Sequence, residues 1–284
     1  MSTIRSCGVR RLPVLSAATP LLAALALFPG HALAQQMSTE PDAAWCREEW
    51  HGDRDRDRYC EVRSMTMPAG SRLAIDAKPN GGIDVEAWDR DEIQIFAKVE
   101  TQARRDGDAR RLADEIEVSV DSDRIDTRGP GTHARGEGWS VSYRVKVPRR
   151  MDLDLRSING GIALRGVGGR IELRTTNGGL RLADVSGDVS GRSTNGGIHA
   201  TLAGRGWEGA GLDLETTNGG VVLELPEDYS ARLETGTVHG GYRIDFPVTV
   251  QGRVDARRLS VDLGDGGQTI RAITTNGGVD VRRL

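Results

Sequence analysis

Aromatic side chains are scarce: Phe, Trp and Tyr make up 4% of the 284 residues. A core filled mainly by rings is therefore excluded. No basic excess exists either; the formal net charge is -3, which rules out a nucleic-acid binder driven by bulk charge. Histidine is rare, and His51, His133, His199 and His239 show no metal-pair spacing. The strings His-Glu-x-x-His, Gly-x-Ser-x-Gly and Gly-x-x-x-x-Gly-Lys do not occur. No catalytic residue, metal or cofactor is therefore expected. Beyond residue 34 no apolar run is long enough to cross a bilayer.

The first 34 residues read as an address. Arg5, Arg10 and Arg11 precede an apolar stretch that includes Leu21 to Phe28, and His31-Ala32-Leu33-Ala34 offers a small-x-small cleavage signal near Ala34. Cys7 lies before the apolar run, so it is no lipoprotein cysteine. The pattern fits bacterial export and a periplasmic or secreted product. Export gives meaning to the remaining pair, Cys46 and Cys60, which is expected to form a disulfide. Between them, Asp53 to Arg58 alternates acid and base and reads as solvated charge; interleaved cations do not suit a calcium loop. Three segments follow: signal peptide 1–34, a cysteine-linked segment 35–67, and a repeat domain 68–284.

Glycine is abundant, at 37 residues, and its placement is periodic. Asn-Gly-Gly occurs at Asn80, Asn159, Asn177, Asn195, Asn218 and Asn276, with His239-Gly-Gly as an altered copy. From Asn159 onward the steps are 18, 18, 23, 21 and 37 residues, the last near two periods. Around each copy apolar and polar residues alternate. Ile83, Ile162, Leu180, Ile198, Val221, Tyr242 and Val279 stand three places after the corner, and an aliphatic or alanine follows two places later. Upstream, Leu153, Ile171, Val189 and Leu212 form one inward column, and Leu155, Leu173, Gly191 and Leu214 the next. This is strand periodicity. Residues 116–126 and 139–147 also alternate as strands, 106–115 fit a short helix or a loop, and Gly129 to Gly138 is a loop by composition.

An antiparallel meander and a β-solenoid both fit Asn-Gly turns between strands. A stack explains why Thr-Thr-Asn-Gly-Gly recurs at 175, 216 and 274, since equivalent residues then form ladders; a meander needs only good turns. The expected fold is all-β, a solenoid of 18–23-residue coils with Thr-Asn-Gly-Gly turns in which the glycines take positive φ. One coil buries too few aliphatics to offset the entropy of ordering it, so stability must come from neighbours.

The run Trp139 to Pro148, then Leu153-Asp-Leu-Arg-Ser-Ile-Asn159-Gly-Gly, then serial Thr-Asn-Gly-Gly strands, resembles a widespread bacterial β-strand-repeat family of adhesins, largely a domain of unknown function. Glu224-Leu-Pro226 and Phe246-Pro247 are similar to its late coils. The resemblance covers about residues 68 to 284. It implies an adhesin-like surface role and supplies no catalytic residue.

Two outward columns carry charge. Asp154, Glu172, Ser190 and Asp213 run beside Arg156, Arg174, Arg192 and Glu215. Opposite ladders would offset each other, but Ser190 leaves Arg192 without its acid on the same strand. Arg156, Arg174 and Arg192 are thus the binding candidates, as a cationic stripe for an anionic polysaccharide or a lipid headgroup. The functional expectation is a non-enzymatic module at the envelope or surface. Alternatives are a solenoid-type enzyme on acidic polysaccharide, and a regulatory factor that binds an envelope protein. Exposed end strands make weak self-association an additional expectation.

Overall fold

The computed structural model describes residues 37–41, 43–48, 57–105, 107–131, 136–248 and 257–284. The signal segment with its cleavage point, His51, Asp53–Arg56 and His133 lie outside the described residues. Gln36–Leu284 forms one compact unit. It is all-β apart from two short helices, α1 (Ala44–Glu48) and α2 (Asp108–Asp114).

The described strands form two sheets. Sheet 1 runs, in spatial order, through Ser38–Pro41, Asp57–Pro68, Glu92–Ala103, Gly138–Pro148, Ile83–Trp88, Ile162–Arg165, Leu180–Ala183, Ile198–Thr201, Val221–Leu225, Val279–Arg283 and Tyr242–Ile244. Sheet 2 runs through Leu259–Leu263, Ala231–His239, Thr269–Asn276, Gly211–Asn218, Ser186–Asn195, Gly168–Asn177, Asp152–Ser157, Arg72–Asp76, Arg124–Arg128 and Glu117–Val120. Each repeat supplies one strand to sheet 2, turns at its Asn-Gly-Gly corner, and supplies the next strand to sheet 1. We call such a unit a rung.

Neighbouring rungs pair in parallel, with equivalent residues opposite one another. Ile162 faces Leu180 and then Ile198 in sheet 1, while Ile171 faces Val189 and then Leu212 in sheet 2. The winding is solenoid-like, and the up-and-down meander is excluded because corners face corners. The alternating aliphatics all turn inward: Val85, Leu155, Leu173, Leu214 and Leu223 are fully buried. Gly191 occupies an inward position where its neighbours carry leucine. A Cβ there would lie 2.9 Å from Leu214 and 3.1 Å from Leu180, so these side chains already fill its place.

Chain order and rung order differ at both ends. Thr269–Asn276 pairs on one side with Gly211–Asn218 and on the other with Ala231–His239. In sheet 1, Val279–Arg283 sits between Val221–Leu225 and Tyr242–Ile244 in the same way. The Asn276 corner therefore lies between those of Asn218 and His239, and the expectation that corners stack in sequence order is corrected there. Ile83–Trp88 is likewise sandwiched, between Gly138–Pro148 and Ile162–Arg165. In both places an early or late rung is inserted where it has neighbours on both faces. An exposed terminal rung would leave a row of open backbone groups.

The N-terminal segment is part of the wall. Asp57–Pro68 pairs antiparallel with Glu92–Ala103 along its whole length. Cys46 and Cys60 form the expected disulfide, which ties α1 to this strand. Of the stretch expected as a short helix or a loop, Asp108–Asp114 is helical, and Ala109, Leu112 and Ala113 of this α2 are buried. Its N-cap Gly107 has no capping side chain, and Asp57 Oδ2 instead accepts the Ala109 N–H at 3.0 Å. Asp57, expected as plain solvated charge, has this capping role because the disulfide-linked strand runs past the start of α2.

Candidate functional site

The corner stack positions both outer faces. Each corner amide donates to the carbonyl oxygen of the rung before it: Asn159 to Asn80, Asn177 to Asn159, Asn195 to Asn177, Asn218 to Asn195 and Asn276 to Asn218, at 2.7–3.0 Å. At one end Asn80 Nδ2 donates to the Trp139 carbonyl at 3.4 Å. A carbonyl only accepts, so the direction of the whole ladder follows. At the other end the free Asn276 oxygen faces His239 Nδ1 at 3.0 Å, so His239 must carry its proton there. The altered seventh copy thus closes the ladder by donating.

A second ladder lies inside it. Two places before every corner but that of Asn80, where Lys78 stands, are Ser157, Thr175, Ser193, Thr216, Thr237 and Thr274, all buried. Each hydroxyl donates to the first glycine carbonyl of the adjacent corner, Thr175 to Gly160 and Thr216 to Gly196 among them, at 2.7–2.8 Å. The role of the first glycine is corrected too. Among the first glycines Gly219 and Gly277 have positive φ, at 159° and 154°, but Gly160, Gly178 and Gly196 do not. They are glycine because rungs meet backbone to backbone: a Cβ on Gly178 would overlap the Gly160 carbonyl.

On the outer face of sheet 2 a groove of about 590 Å³ runs beside the corners and includes Arg156, Arg174 and Arg192. The structure brings the three into register, as the spacing required. Arg156 makes two bonds to Asp154, each 2.9 Å, and Arg174 pairs with Glu172. Arg192 does not lack an acid: it reaches across to Asp213 of the next rung at 3.3 Å and lies 4.0 Å from Glu215. Arg271 approaches the same two carboxylates from the far side, at 2.5 and 3.3 Å. The stripe is a charge-matched lattice, because a neighbouring rung supplies the partner that its own strand omits. Neighbouring carboxylates raise the basicity of Arg156, chiefly through its bonds to Asp154.

The outer face of sheet 1 carries a longer trough, about 810 Å³. Its floor is the second glycine of successive corners, Gly82, Gly161, Gly179, Gly197 and Gly220. Along one side Asp84, Ala163, Arg181, His199 and Val222 face one another in register. Trp45 closes one end, held with Arg144 at 4.2 Å and Lys98 at 5.3 Å from its ring. His199 Nε2 lies 2.9 Å from Glu224, and this hydrogen bond holds the Glu224 carboxyl below its ordinary range. Arg181 is exposed and has no carboxylate partner among the described residues.

Neither the hydroxyl ladder nor the trough was anticipated from the sequence. The signals exist in retrospect: Ser or Thr two places before nearly every Asn, and a second glycine that no turn geometry demands. Chemically, the carboxylates beside the arginine stripe are bound by arginine rather than paired with one another. Among the described residues no group of three or more His, Cys, Asp or Glu could hold a metal ion, and no helix is long and apolar enough to cross a membrane.

Comparison with known proteins gives a family but little else. The family model described as Toastrack DUF4097 matches residues 137–282, just over half of the chain. No curated protein sequence matches. Among solved structures, a "putative cell adhesion protein" from Clostridium sporogenes aligns with 78% of this chain and 100% of its own, at 10% identity and a TM-score of 0.39. A "putative adhesin" from Bacteroides fragilis covers 78% and 97%, at 12% identity and 0.35. A "putative lipid binding protein" from Parabacteroides distasonis covers 78% and 96%, at 9% identity and 0.31.

Proposed function

The chain belongs to the Toastrack DUF4097 family, and from that premise we propose that it is a non-catalytic interaction module of the bacterial envelope or surface. In this reading it is an exported β-solenoid of 18–23-residue coils, and its outer faces hold a partner. The observation that carries the reading is register. Rung after rung places the same side-chain position at the same spot, about 4.8 Å apart, along two elongated grooves. A surface that repeats in one direction is suited to a ligand that repeats in one direction. Small-molecule sites are closed concavities instead.

The non-enzymatic part rests on the state of the carboxylates. Acid catalysis on a glycan needs a carboxyl pair facing a common bond. On sheet 2 Asp154, Glu172 and Asp213 are each held by arginine, so no such pair is free. Export is supported by the Cys46–Cys60 disulfide, which suits an oxidising compartment.

The test is retention of the purified chain on isolated envelope fractions: peptidoglycan sacculi, surface polysaccharide, and vesicles of envelope lipid. Saturable retention on one fraction is the expected result. Retention on none refutes the module. Loss of viscosity or new unsaturated ends, when an acidic polysaccharide is incubated with the chain, would make it an enzyme.

A further inference from the structure

We propose that the sheet 1 trough is the binding site, and that its ligand is a carboxylate-bearing polysaccharide lying along the stack. This rests on the interaction-module reading and gives it a place and a ligand class.

The trough floor has open donors, while each of its carbonyls already accepts one hydrogen bond. The second-glycine carbonyls are already taken by the adjacent rung: Gly161 by Ile83, Gly179 by Ile162, Gly197 by Leu180 and Gly220 by Ile198, at 2.9–3.0 Å. The N–H groups of Gly161, Gly179, Gly197 and Gly220 have no acceptor among the described residues. Their direction is shown by Gly82, whose N–H donates to Ser142 Oγ at 3.2 Å. Ser142 holds, one rung earlier, the position that glycine holds in the others, and it lines the same trough. In the following rungs that place is a glycine, which brings no oxygen. Arg181, with no carboxylate partner among the described residues, adds a guanidinium beside the row, and Arg144 stands at its Trp45 end. Asp84, a carboxylate of the lining, sits opposite Arg144 in register.

Packing constrains the second glycine less than the first. A Cβ on Gly161, Gly179, Gly197 or Gly220 would lie 3.0–3.4 Å from the next carbonyl, a tight contact, whereas one on Gly178 overlaps backbone outright. None of Gly161, Gly179, Gly197 and Gly220 has positive φ. What glycine does at these places is leave the N–H row open. Oriented backbone N–H groups with arginine favour oxygen anions.

The donors recur once per rung, so the ligand must present acceptors repeatedly. A polymer of acidic sugars carries carboxylates and hydroxyls along its whole length. An extended peptide brings its own N–H groups, for which a floor rich in open donors has few partners. A membrane surface calls for exposed apolar side chains; the large exposed ones among the described residues, Ile158, Val238 and Leu284, do not line the trough. The arginines of sheet 2 are matched by acids and have less to offer an anion.

The experiment measures binding of the full chain to polygalacturonate, to its methyl-esterified form, and to phosphatidylglycerol vesicles. Variants are Arg181→Glu, Gly161→Ser with Gly197→Ser, and Arg174→Glu with Arg192→Glu; a melting curve checks the fold of each. Polygalacturonate is expected to bind and the ester much less. A charge-assisted contact of about 1.5–3 kcal/mol makes the loss in Arg181→Glu about tenfold or more. The double serine variant, which covers two N–H groups, is expected to weaken binding too, while the sheet 2 variant keeps it. Binding lost only in the sheet 2 variant overturns the site and leaves the module intact. Binding only to vesicles, or equally to the ester, overturns the ligand class. Binding to none of the probes overturns this proposal, and the envelope-fraction test then decides whether the module reading falls with it.

Discussion

Thr216 and Thr217 are neighbours of one type with opposite surroundings, and replacing each by valine separates the inner ladder from the rest of the corner. Thr216 is 1% exposed, and its hydroxyl donates to the Gly196 carbonyl at 2.8 Å. Valine keeps the shape and removes the donor. Water cannot take its place, because Gly219 is stacked so tightly on that carbonyl that a Cβ there would overlap it. The oxygen would stay unpaired in the part-buried corner, at a cost of about 1–3 kcal/mol. For a domain of this size each kcal/mol lowers Tm by about 2–4 °C, so Thr216→Val should melt roughly 2–12 °C early. Thr217 is exposed and outside this ladder, so Thr217→Val should stay within about 0.5 kcal/mol of the parent. Thermal and urea unfolding of the two variants side by side is the assay. Equal midpoints would mean that the hydroxyls do not bind rung to rung, and the account of the corner would fail.

Gly178→Ala should destabilise strongly, by at least about 1–3 kcal/mol through overpacking, and Gly161→Ala much less; urea midpoints that rank the other way would refute the backbone-contact argument. Reducing the Cys46–Cys60 disulfide should cost about 3 kcal/mol, the loop-closure value for roughly 15 residues, seen as a lower Tm in thiol than without it. Burial pushes the Tyr229 phenol up to about 12 and Tyr143, which shares a hydrogen bond with Thr127, higher still. The fold therefore favours their neutral forms. That stabilisation is complete below the ordinary phenol value near 10 and is lost as pH rises above it. An absorbance titration should show these two tyrosines ionising late, together with loss of β-sheet circular dichroism; ordinary titration of every tyrosine would contradict the buried placement.

Much of this protein was legible as a string of letters. Asn-Gly-Gly at regular steps, flanked by alternating aliphatics, dictates strands, corners and a thin core, because strand side chains alternate and only equivalent residues can stack into ladders. The expectation of export makes the pair Cys46 and Cys60 a disulfide candidate without any coordinates, and the fold has that disulfide. What the string could not reveal depends on neighbours far away in sequence. Arg192 looks partnerless along its own strand and is bound by Asp213 only because the next rung lies alongside. The Asn276 rung follows His239 in the chain and precedes it in the stack, since chain order says nothing about which face of a rung remains open for insertion. The trough exists only once separate glycines lie over one another, and their N–H groups lack acceptors for a tertiary reason: the residue in front of each is another glycine.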